Sequence, residues 1–195
     1  MSTQHYLNLP ILQIKLTLKE INPPVWRRLL VPSNLSLHEF HWDIQRAMGW
    51  ENCHLYQFTI DGVDYGVPHE DDMSPLKSAE TVSLSRFGRK ENFCFSYEYD
   101  FGDGWDHEVL IEKILPANSK QTFSVCLEGE RACPPEDCGG PYGYTDLLKI
   151  LSNPKHQEYR AMREWVGKKI NPEFFDLKGV NRNLKRKVPV DLHLE

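Results

Sequence analysis

The feature that most constrains this fold is a strict alternation of apolar and polar residues near the N-terminus. Leucine or isoleucine occupies every second position from residue 12 to residue 18, which predicts a strand over residues 12–19 with one buried face. A Pro-Pro pair follows, and residues 25–31 predict a second strand that a further proline closes. The connection is shorter than the roughly dozen residues that a parallel crossover requires, so we predict an antiparallel hairpin.

Two more hairpins are predicted further along the chain. Strands over residues 54–60 and 63–66 flank Asp61-Gly62, a dipeptide that adopts the positive φ angles of a tight hairpin turn. Strands over residues 93–99 and 107–114 flank the sequence DFGDGWD. Their connection is also too short for a crossover, so these strands are predicted to pair antiparallel.

Helices are predicted after the first hairpin and in the C-terminal part. Ser36 and Glu39 have capping-box spacing, and apolar residues then fall on one helical face until Gly49, which predicts a helix over residues 37–48. A short strand around residues 123–127 leads into GERACPPEDCGGPYG, whose Pro and Gly content predicts irregular structure. The tail predicts helices over residues 145–151 and 159–166, and a last helix that begins at Asn171-Pro172.

This order of elements predicts an α+β fold rather than alternating β-α-β units. We expect a mostly antiparallel sheet of hairpins, with one early helix packed on it and a C-terminal helical segment. A length of 195 residues predicts a single domain over residues 1–195, with its core at about residues 10–185.

Composition excludes several other classes of protein. Hydrophobic residues make up 40% and charged residues 26% of the chain, which excludes a disordered or fibrous protein. No stretch reaches the roughly 18 apolar residues of a membrane helix, and the N-terminus lacks a basic segment followed by an apolar one. We therefore expect a cytoplasmic protein with no membrane partner.

No P-loop or other nucleotide-binding motif occurs.

Three stretches resemble one protein family: residues 24–58, residues 97–115 and residues 126–144, where the string CPPEDCGG is the most specific piece. Together they resemble the plasmid pRiA4b Orf-3-like family over roughly residues 10–185. The resemblance implies a fold class and an association with insertion elements, but no reaction. Members often carry histidine at the position of Tyr56, so of that histidine pair only His54 is present here.

Some members carry a resolvase-type name. A serine recombinase needs a nucleophilic serine among several arginines. The N-terminus offers only Ser2 and Thr3 before a strand without arginine, so the resemblance does not extend to that reaction.

The cysteines raise the question of a metal site. The chain has five cysteines, and an odd number in a chain of this size favours reduced thiols or a metal site over a disulfide framework. Cys126, Cys133 and Cys138, with one histidine, could supply the four nitrogen and sulphur ligands of a tetrahedral zinc ion, and Cys133 and Cys138 with His54 and His107 form an alternative set. The alternative is that they are small buried thiols. Zinc is therefore the one cofactor that the sequence raises.

An acidic segment over residues 98–108 contains no lysine or arginine. Asp100, Asp103 and His107 could supply oxygen and nitrogen ligands to a catalytic divalent metal for hydrolysis. The alternative is that Asp100 and Asp103 fix the turn by accepting hydrogen bonds from nearby backbone amides.

Basic and aromatic residues could form a local nucleic-acid patch: Trp26, Arg27 and Arg28 on the second strand, with Arg182, Arg186 and Lys187 near the C-terminus. Such residues can stack bases and pair with phosphates. The net charge of −5 gives no global attraction to polyanions. Arg28 could instead pair with the acidic hairpin. His38 and His41 are predicted to be surface residues of the first helix.

These features predict a binding or accessory module of a mobile-element-associated family. Its single pocket is predicted to lie between the acidic hairpin (DFGDGWDH, residues 100–107) and the cysteine loop (CPPEDCGG, residues 133–140). The alternative is a metal-dependent hydrolase or nuclease that uses Asp100, Asp103 and His107. Neither the substrate nor the oligomeric state is predicted.

Overall fold

The computed structural model describes residues 9–68, 76–118, 120–167 and 170–188. Its strands are β1 (Ile11–Leu18), β2 (Trp26–Pro32), β3 (Tyr56–Ile60), β4 (Val63–Gly66), β5 (Lys77–Ser78), β6 (Phe93–Tyr99), β7 (Trp105–Leu115) and β8 (Val125–Glu130). Its helices are α1 (Leu37–Met48), α2 (Gly140–Ser152), α3 (Tyr159–Val166) and α4 (Leu177–Asn183).

The strands form one eight-stranded sheet in the order β5-β4-β3-β6-β7-β1-β2-β8. Every neighbouring pair is antiparallel except β4 and β5. The three predicted hairpins are confirmed, since β1 pairs with β2, β3 with β4, and β6 with β7. The fold is therefore α+β with a mostly antiparallel sheet, as predicted.

One face of the sheet is covered and the other faces solvent. The alternating leucine and isoleucine side chains of β1 are all buried, and the register places Leu16 opposite Arg27 and Lys15 opposite Arg28. Arg27 donates from Nε to the Ala47 carbonyl of α1, so its face is the one that α1 covers. The residues that alternate with these along β1 and β2 therefore point away from α1. This explains why apolar and polar residues alternate in the sequence.

Helix α1 is fixed at both ends by the residues that predict it. Ser36 Oγ accepts from the Glu39 amide at 3.1 Å, and Glu39 Oε2 accepts from the Ser36 amide at 2.7 Å. Gly49 ends the helix with a φ of 93°, a conformation that favours glycine. The apolar face of α1 is buried against the sheet.

The outer edge of the sheet at β8 is covered by α4. Asn181 Oδ1 accepts from the Cys126 amide, and Asn181 Nδ2 donates to the Cys126 carbonyl, both at 2.9 Å. One side chain thus satisfies both backbone groups of Cys126, which would otherwise have no partner on the outer side of this edge strand.

Two element predictions in the C-terminal part are wrong. Helix α2 begins at Gly140 inside the sequence predicted to be irregular, because Pro141 lies in its first turn, where the absent N–H costs no hydrogen bond. The last helix begins at Leu177, with Asp176 as its N-cap, rather than at Asn171-Pro172. Asn171 instead caps only a short turn, in which its carbonyl accepts from the Phe174 amide.

The Asp61-Gly62 turn has the positive φ angles that its sequence predicts, 51° and 72°. Prolines and polar residues over residues 67–80 predict a surface loop, but residues 69–75 lie outside the described part, and β5 forms within the rest. Lys168 and Lys169, two further cations that precede the C-terminal basic residues, also lie outside the described residues. Among the residues described, no helix has the length and apolar character needed to cross a membrane.

Candidate metal centre

The tip of the acidic hairpin is held by its own backbone. Asp100 follows β6 with a left-handed φ of 57°, which aspartate tolerates better than most residues. Its Oδ1 accepts from the Gly102 amide at 3.0 Å and from the Asp103 amide at 3.4 Å. Oδ1 therefore has the turn-fixing role that the sequence suggests for Asp100. The other carboxylate oxygen, Oδ2, lies near His54.

The cysteine loop obtains its order from donors on neighbouring segments. Trp50 Nε1 donates to the Pro134 carbonyl at 3.0 Å, and the Glu51 amide donates to Glu136 Oε2 at 2.9 Å. The Tyr99 hydroxyl donates to the other Glu136 oxygen. This explains how a segment too rich in Pro and Gly for a β-ladder is fixed.

The acidic hairpin and the cysteine loop are in direct contact. The Gly139 amide donates to Asp103 Oδ2 at 3.2 Å. A Cβ atom added to Gly140 would lie only 2.2 Å from the Asp103 carbonyl oxygen, so glycine is required for this close approach. Asp103 therefore joins the two segments through its side chain and its backbone.

At this contact, three side chains from separate segments converge. His54 precedes β3, Asp100 follows β6, and Asp137 belongs to the cysteine loop. His54 Nε2 lies 3.6 Å from Asp100 Oδ2 and 3.1 Å from Asp137 Oδ1, and one ligand atom from each residue lies within 4.8 Å of the others. Within the described part of the chain, this is the one group of three histidine, cysteine, aspartate or glutamate side chains with such spacing.

The cluster is partly shielded from water. The Asp100 side chain is 10% exposed and that of His54 28%, whereas Asp137 is 69% exposed. His54 Nε2 itself is buried, and it makes no hydrogen bond of acceptable geometry with any residue that the structure describes. The group therefore presents a buried nitrogen and two carboxylates, open to solvent on the Asp137 side.

The cysteines predicted as zinc ligands are placed differently. All five cysteines are free thiols. Cys126, Cys133 and Cys138 do not converge with His54 or His107 into a group of three ligands among the residues described. Burial raises the pKa of Cys126 to about 11 and that of Cys138 to about 12, and it also raises the pKa of Cys133. The thiols are therefore neutral in this arrangement.

His107 is a core residue in this structure. It is fully buried, donates from Nδ1 to the Trp105 carbonyl at 2.9 Å, and contacts the Trp50 ring edge-on at 5.5 Å. Its Nε2 has no hydrogen-bond partner among the described residues. Burial lowers the pKa of His107 to about 4, so it is neutral at pH 7.

The six basic and aromatic residues do not form one patch. Arg27 is 2% exposed, and its guanidinium donates hydrogen bonds to backbone carbonyls. Its Cζ atom lies 4.3 Å from the centre of the Phe175 ring. Arg28 forms ion pairs with Glu112 and Glu128 on the open face of the sheet, not with the acidic hairpin. Trp26 lies on that same face and donates to Glu130. Of the C-terminal residues, Arg182 pairs with Asp176 at 3.7 Å, and Arg186 and Lys187 lie beside α1.

The prediction that His41 is a surface residue is wrong. His41 is fully buried, and its Nδ1 and Nε2 atoms each lie 2.8 Å from a partner, the Tyr97 hydroxyl and Asn52 Oδ1. Its ring stacks on Tyr56 at 3.7 Å. A histidine on the apolar face of a helix thus lies in the core because both ring nitrogens find partners there.

Sequence reasoning missed Asp137, Glu136 and Trp50. Asp137 and Glu136 lie inside the string CPPEDCGG, in which only the cysteines were predicted as metal ligands. The available signal was that this string contains two acidic residues next to turn formers. Nothing in the local sequence indicated that Trp50 would bind the Pro134 carbonyl.

Two cavities lie beside the hairpin-loop contact. A cavity of about 530 Å³ lies between the cysteine loop, the end of α1 and residues 166–174. A second cavity, of about 410 Å³, is lined by residues 52–56 together with His38 and Val67. His54 therefore contributes both to this second cavity and to the group with Asp100 and Asp137.

Comparison with known proteins places the chain in a family. The model of the plasmid pRiA4b ORF-3-like protein family matches residues 10–179. The chain belongs to this family.

The chain is also similar to two other proteins along most of its length. The uncharacterized protein y4hQ of Sinorhizobium fredii (strain NBRC 101917 / NGR234) is 38% identical over 158 residues, which cover 80% of this chain and 81% of the relative. A crystal structure of MM3350, a protein of unknown function from Methanosarcina mazei Go1, matches with a TM-score of 0.79 and 38% identity, covering 87% of this chain and 96% of that chain. This family member therefore shares its fold with a solved protein from an archaeon.

Proposed function

We propose that this protein is a binding module for a divalent cation, held by His54, Asp100 and Asp137 where the acidic hairpin meets the cysteine loop. The observation that carries the proposal is His54 Nε2, a buried atom without a hydrogen bond that faces two carboxylates from different segments. A buried polar nitrogen without a partner is unfavourable. A cation bound by all three residues would remove that cost.

The spacing of the ligand atoms is compatible with a bound ion. Two ligands at about 2.1 Å from a tetrahedral ion lie about 3.4 Å apart. The distances from His54 Nε2 to the two aspartate oxygens, 3.1 and 3.6 Å, are close to that value. An N–H at His54 Nε2 could donate to one of the two carboxylates, but neither contact has hydrogen-bond geometry.

The chemistry of the ligands points to a particular group of metals. One imidazole and two carboxylates suit Zn²⁺ or Mn²⁺, whereas sites for Mg²⁺ and Ca²⁺ are usually built from oxygen ligands alone. Zinc, raised by the cysteines in the sequence, is thus still a candidate, with a different set of ligands. A binding module also fits the binding or accessory role that the sequence predicts.

A second candidate function is metal-dependent hydrolysis. The supporting observation is that the group has three protein ligands and that Asp137 is 69% exposed, because catalytic zinc sites keep three protein ligands and one position for water. Of the residues predicted for catalysis, only Asp100 belongs to the group. Asp103 would act as a positioning residue through Gly139, and His107 would support the core.

The test is isothermal titration of the full-length, untagged and chelator-treated protein with Zn²⁺, Mn²⁺ and Mg²⁺. We expect one equivalent of Zn²⁺ or Mn²⁺ to bind, and Asp137→Asn to weaken binding at least tenfold. Asp146→Asn is the matched control, because Asp146 is an exposed aspartate of α2 that pairs with Lys149. Hydrolysis of a phosphodiester by the metal-loaded protein, lost in Asp137→Asn, would support the second candidate.

Absence of saturable binding of any of the three ions would overturn the proposal. An equal loss of affinity in Asp137→Asn and Asp146→Asn would also overturn it, because binding would then reflect net charge. Zinc binding that is abolished by Cys133→Ser but retained by Asp137→Asn would place the metal on the thiols instead.

A further inference from the structure

A cavity lined by cations lies beside α1. It has a volume of about 340 Å³ and lies between α1, the residues just before β8 and the residues just after α4. Four basic residues line it: Arg46, Lys185, Arg186 and Lys187. Arg46 links the two sides, since its Nη2 donates to the Lys187 carbonyl at 2.8 Å.

Three of these cations differ from the other basic residues discussed above. Lys185, Arg186 and Lys187 are exposed, and none of them forms an ion pair with a residue that the structure describes. Arg28, by contrast, is neutralised by two glutamates. This cavity therefore carries three exposed cations that no described carboxylate neutralises.

The acidic residues in the same wall are already engaged. Glu39 accepts the Ser36 amide in the capping box of α1. Asp43 is 4% exposed, accepts from the Ser124 hydroxyl at 2.5 Å and lies 3.4 Å from Arg46. Even with both carboxylates ionised, the four cations leave the cavity with an excess of positive charge.

An aromatic ring stands among these cations. Phe123 lines the cavity, is 37% exposed, and lies 5.7 Å from Lys185 Nζ in a cation–π contact. Large exposed aromatic side chains beside unpaired cations form the combination that binds single-stranded nucleic acids, in which rings stack on bases and cations bind phosphates.

We infer that this cavity binds a nucleotide unit, with its phosphate on Lys185, Arg186 and Lys187 and its base on Phe123. The ligand is either a free nucleotide or one nucleotide of a single strand, because both present the same phosphate and the same ring. The volume is at the lower end of the range of ligand pockets, about 300–1,000 Å³, and matches a small ligand group. The inference is independent of the metal proposed at His54.

A nucleotide fits these observations better than other polyanions. A lipid surface would contact a flat or convex face, whereas these cations surround a concavity. An acidic peptide would use the cations but would leave the Phe123 ring without a planar partner. Duplex DNA would keep its bases stacked and out of reach of a ring inside a cavity.

The test measures binding of a fluorescent ten-nucleotide oligothymidylate and of thymidine 5′-monophosphate to the full-length protein at several salt concentrations. We expect Arg186→Glu with Lys187→Glu to weaken oligonucleotide binding at least tenfold and to reduce the salt slope by about 1.4, for two phosphates at about 0.7 each. Phe123→Ala should weaken it about tenfold, the effect of losing one stacked base.

Matched controls separate this site from nonspecific effects. Arg160→Glu with Arg163→Glu makes the same change of charge on the exposed side of α3, and Phe174→Ala removes another exposed ring. Both should leave binding unchanged. Monophosphate binding as tight as that of the oligonucleotide would identify a free nucleotide as the ligand, and binding of the oligonucleotide alone would identify a strand.

Several outcomes would overturn the inference. No binding of either probe at low salt would do so, as would an equal loss of affinity in the control variants. Equal affinity for a duplex, for polyglutamate or for vesicles containing phosphatidylserine would show a general polyanion surface instead of a nucleotide site.

Discussion

The Gly139 amide donates to the Asp103 carboxylate, and this hydrogen bond joins the acidic hairpin to the cysteine loop at 3.2 Å. The contact brings Asp137 to the side of Asp100 and His54. Each segment supplies a group that the other can bind, since the hairpin tip carries the Asp103 carboxylate and the loop carries backbone amides without a strand partner. The candidate metal centre depends on this docking.

The close contact between the cysteine loop and the acidic hairpin predicts that Gly140→Ala strongly lowers the free energy of unfolding. Gly140→Ala adds a Cβ that would lie 2.2 Å from the Asp103 carbonyl oxygen at a φ of 68°, so the loop must move away. Gly167→Ala has a similar φ of 69° with nothing within 4 Å and should cost only about 1–2 kcal/mol. We expect Gly140→Ala to cost more by several kcal/mol in urea denaturation. Equal costs in the two variants would show that the close approach is not tight.

Two buried tyrosines predict opposite responses to loss of a hydroxyl group. The Tyr97 hydroxyl bonds to His41 Nδ1 at 2.8 Å and accepts from Gln45 Nε2 at 3.1 Å, so Tyr97→Phe leaves two buried groups unpaired. We expect a loss of about 1–3 kcal/mol in the free energy of unfolding. The Tyr144 hydroxyl is buried without a partner among the described residues, so Tyr144→Phe should be neutral or stabilising. A larger cost for Tyr144→Phe would reveal a partner that the structure does not show.

Buried histidines predict that acid destabilises the fold. Burial lowers the pKa of His41 to about 3 and that of His107 to about 4, from 6.5. Between pH 6.5 and pH 4 the unfolded chain binds more protons, so stability present above pH 6.5 is lost as the pH falls. Burial of Asp43 raises its pKa to about 6, which favours the folded state at low pH and opposes this loss. Two histidines outweigh one aspartate, so net stability should fall on acidification.

Denaturant titrations at several pH values can separate these contributions. His107→Gln should flatten the loss of stability between pH 6.5 and pH 4, with a difference on the order of 3 kcal/mol. Asp43→Asn should steepen that loss, and His156→Gln, at an exposed histidine, should leave it unchanged. A slope that does not respond to His107→Gln would contradict the assignment of a buried neutral imidazole.

The exposure of the five cysteines predicts how many thiols react quickly in the native protein. Cys53 and Cys94 are exposed, whereas Cys126 is buried and Cys133 and Cys138 are partly so. Because the thiolate is the reacting species, a raised pKa slows a thiol. The pKa is raised for all five thiols, but the shift is large only for Cys126, Cys133 and Cys138. We expect two fast thiols in the native protein and five in denaturant, and Cys53→Ser should remove one fast thiol. Additional fast thiols after chelator treatment would show that the cysteines hold a metal.

Local patterns in the sequence predicted most of the fold. The alternation in β1, the capping box of α1 and the Asp61-Gly62 turn each depend on interactions within a few residues, so they are visible in one segment. The start of α2 was missed because the Gly and Pro content argued against a helix, although a proline in the first helical turn is compatible with one.

The candidate site was predicted only in part, because it depends on contacts between distant segments. His54 and Asp100 were identified by residue type, and Asp137 was not, since its role arises only when the cysteine loop docks on the hairpin. Arg27 and His41 look like surface residues in the sequence. They lie in the core because backbone carbonyls and a tyrosine hydroxyl satisfy their polar atoms there.

The pairing of Asn181 with Cys126 has a consequence for how this protein behaves in a crowded solution. An exposed edge strand offers unpaired amides and carbonyls to the edge of any neighbouring molecule, and such contacts lead to edge-to-edge association. At Cys126 a side-chain amide occupies both positions that a ninth strand would use. Helix α4 therefore ends the sheet as well as covering it, and the growth of one sheet into the next copy is blocked at that residue.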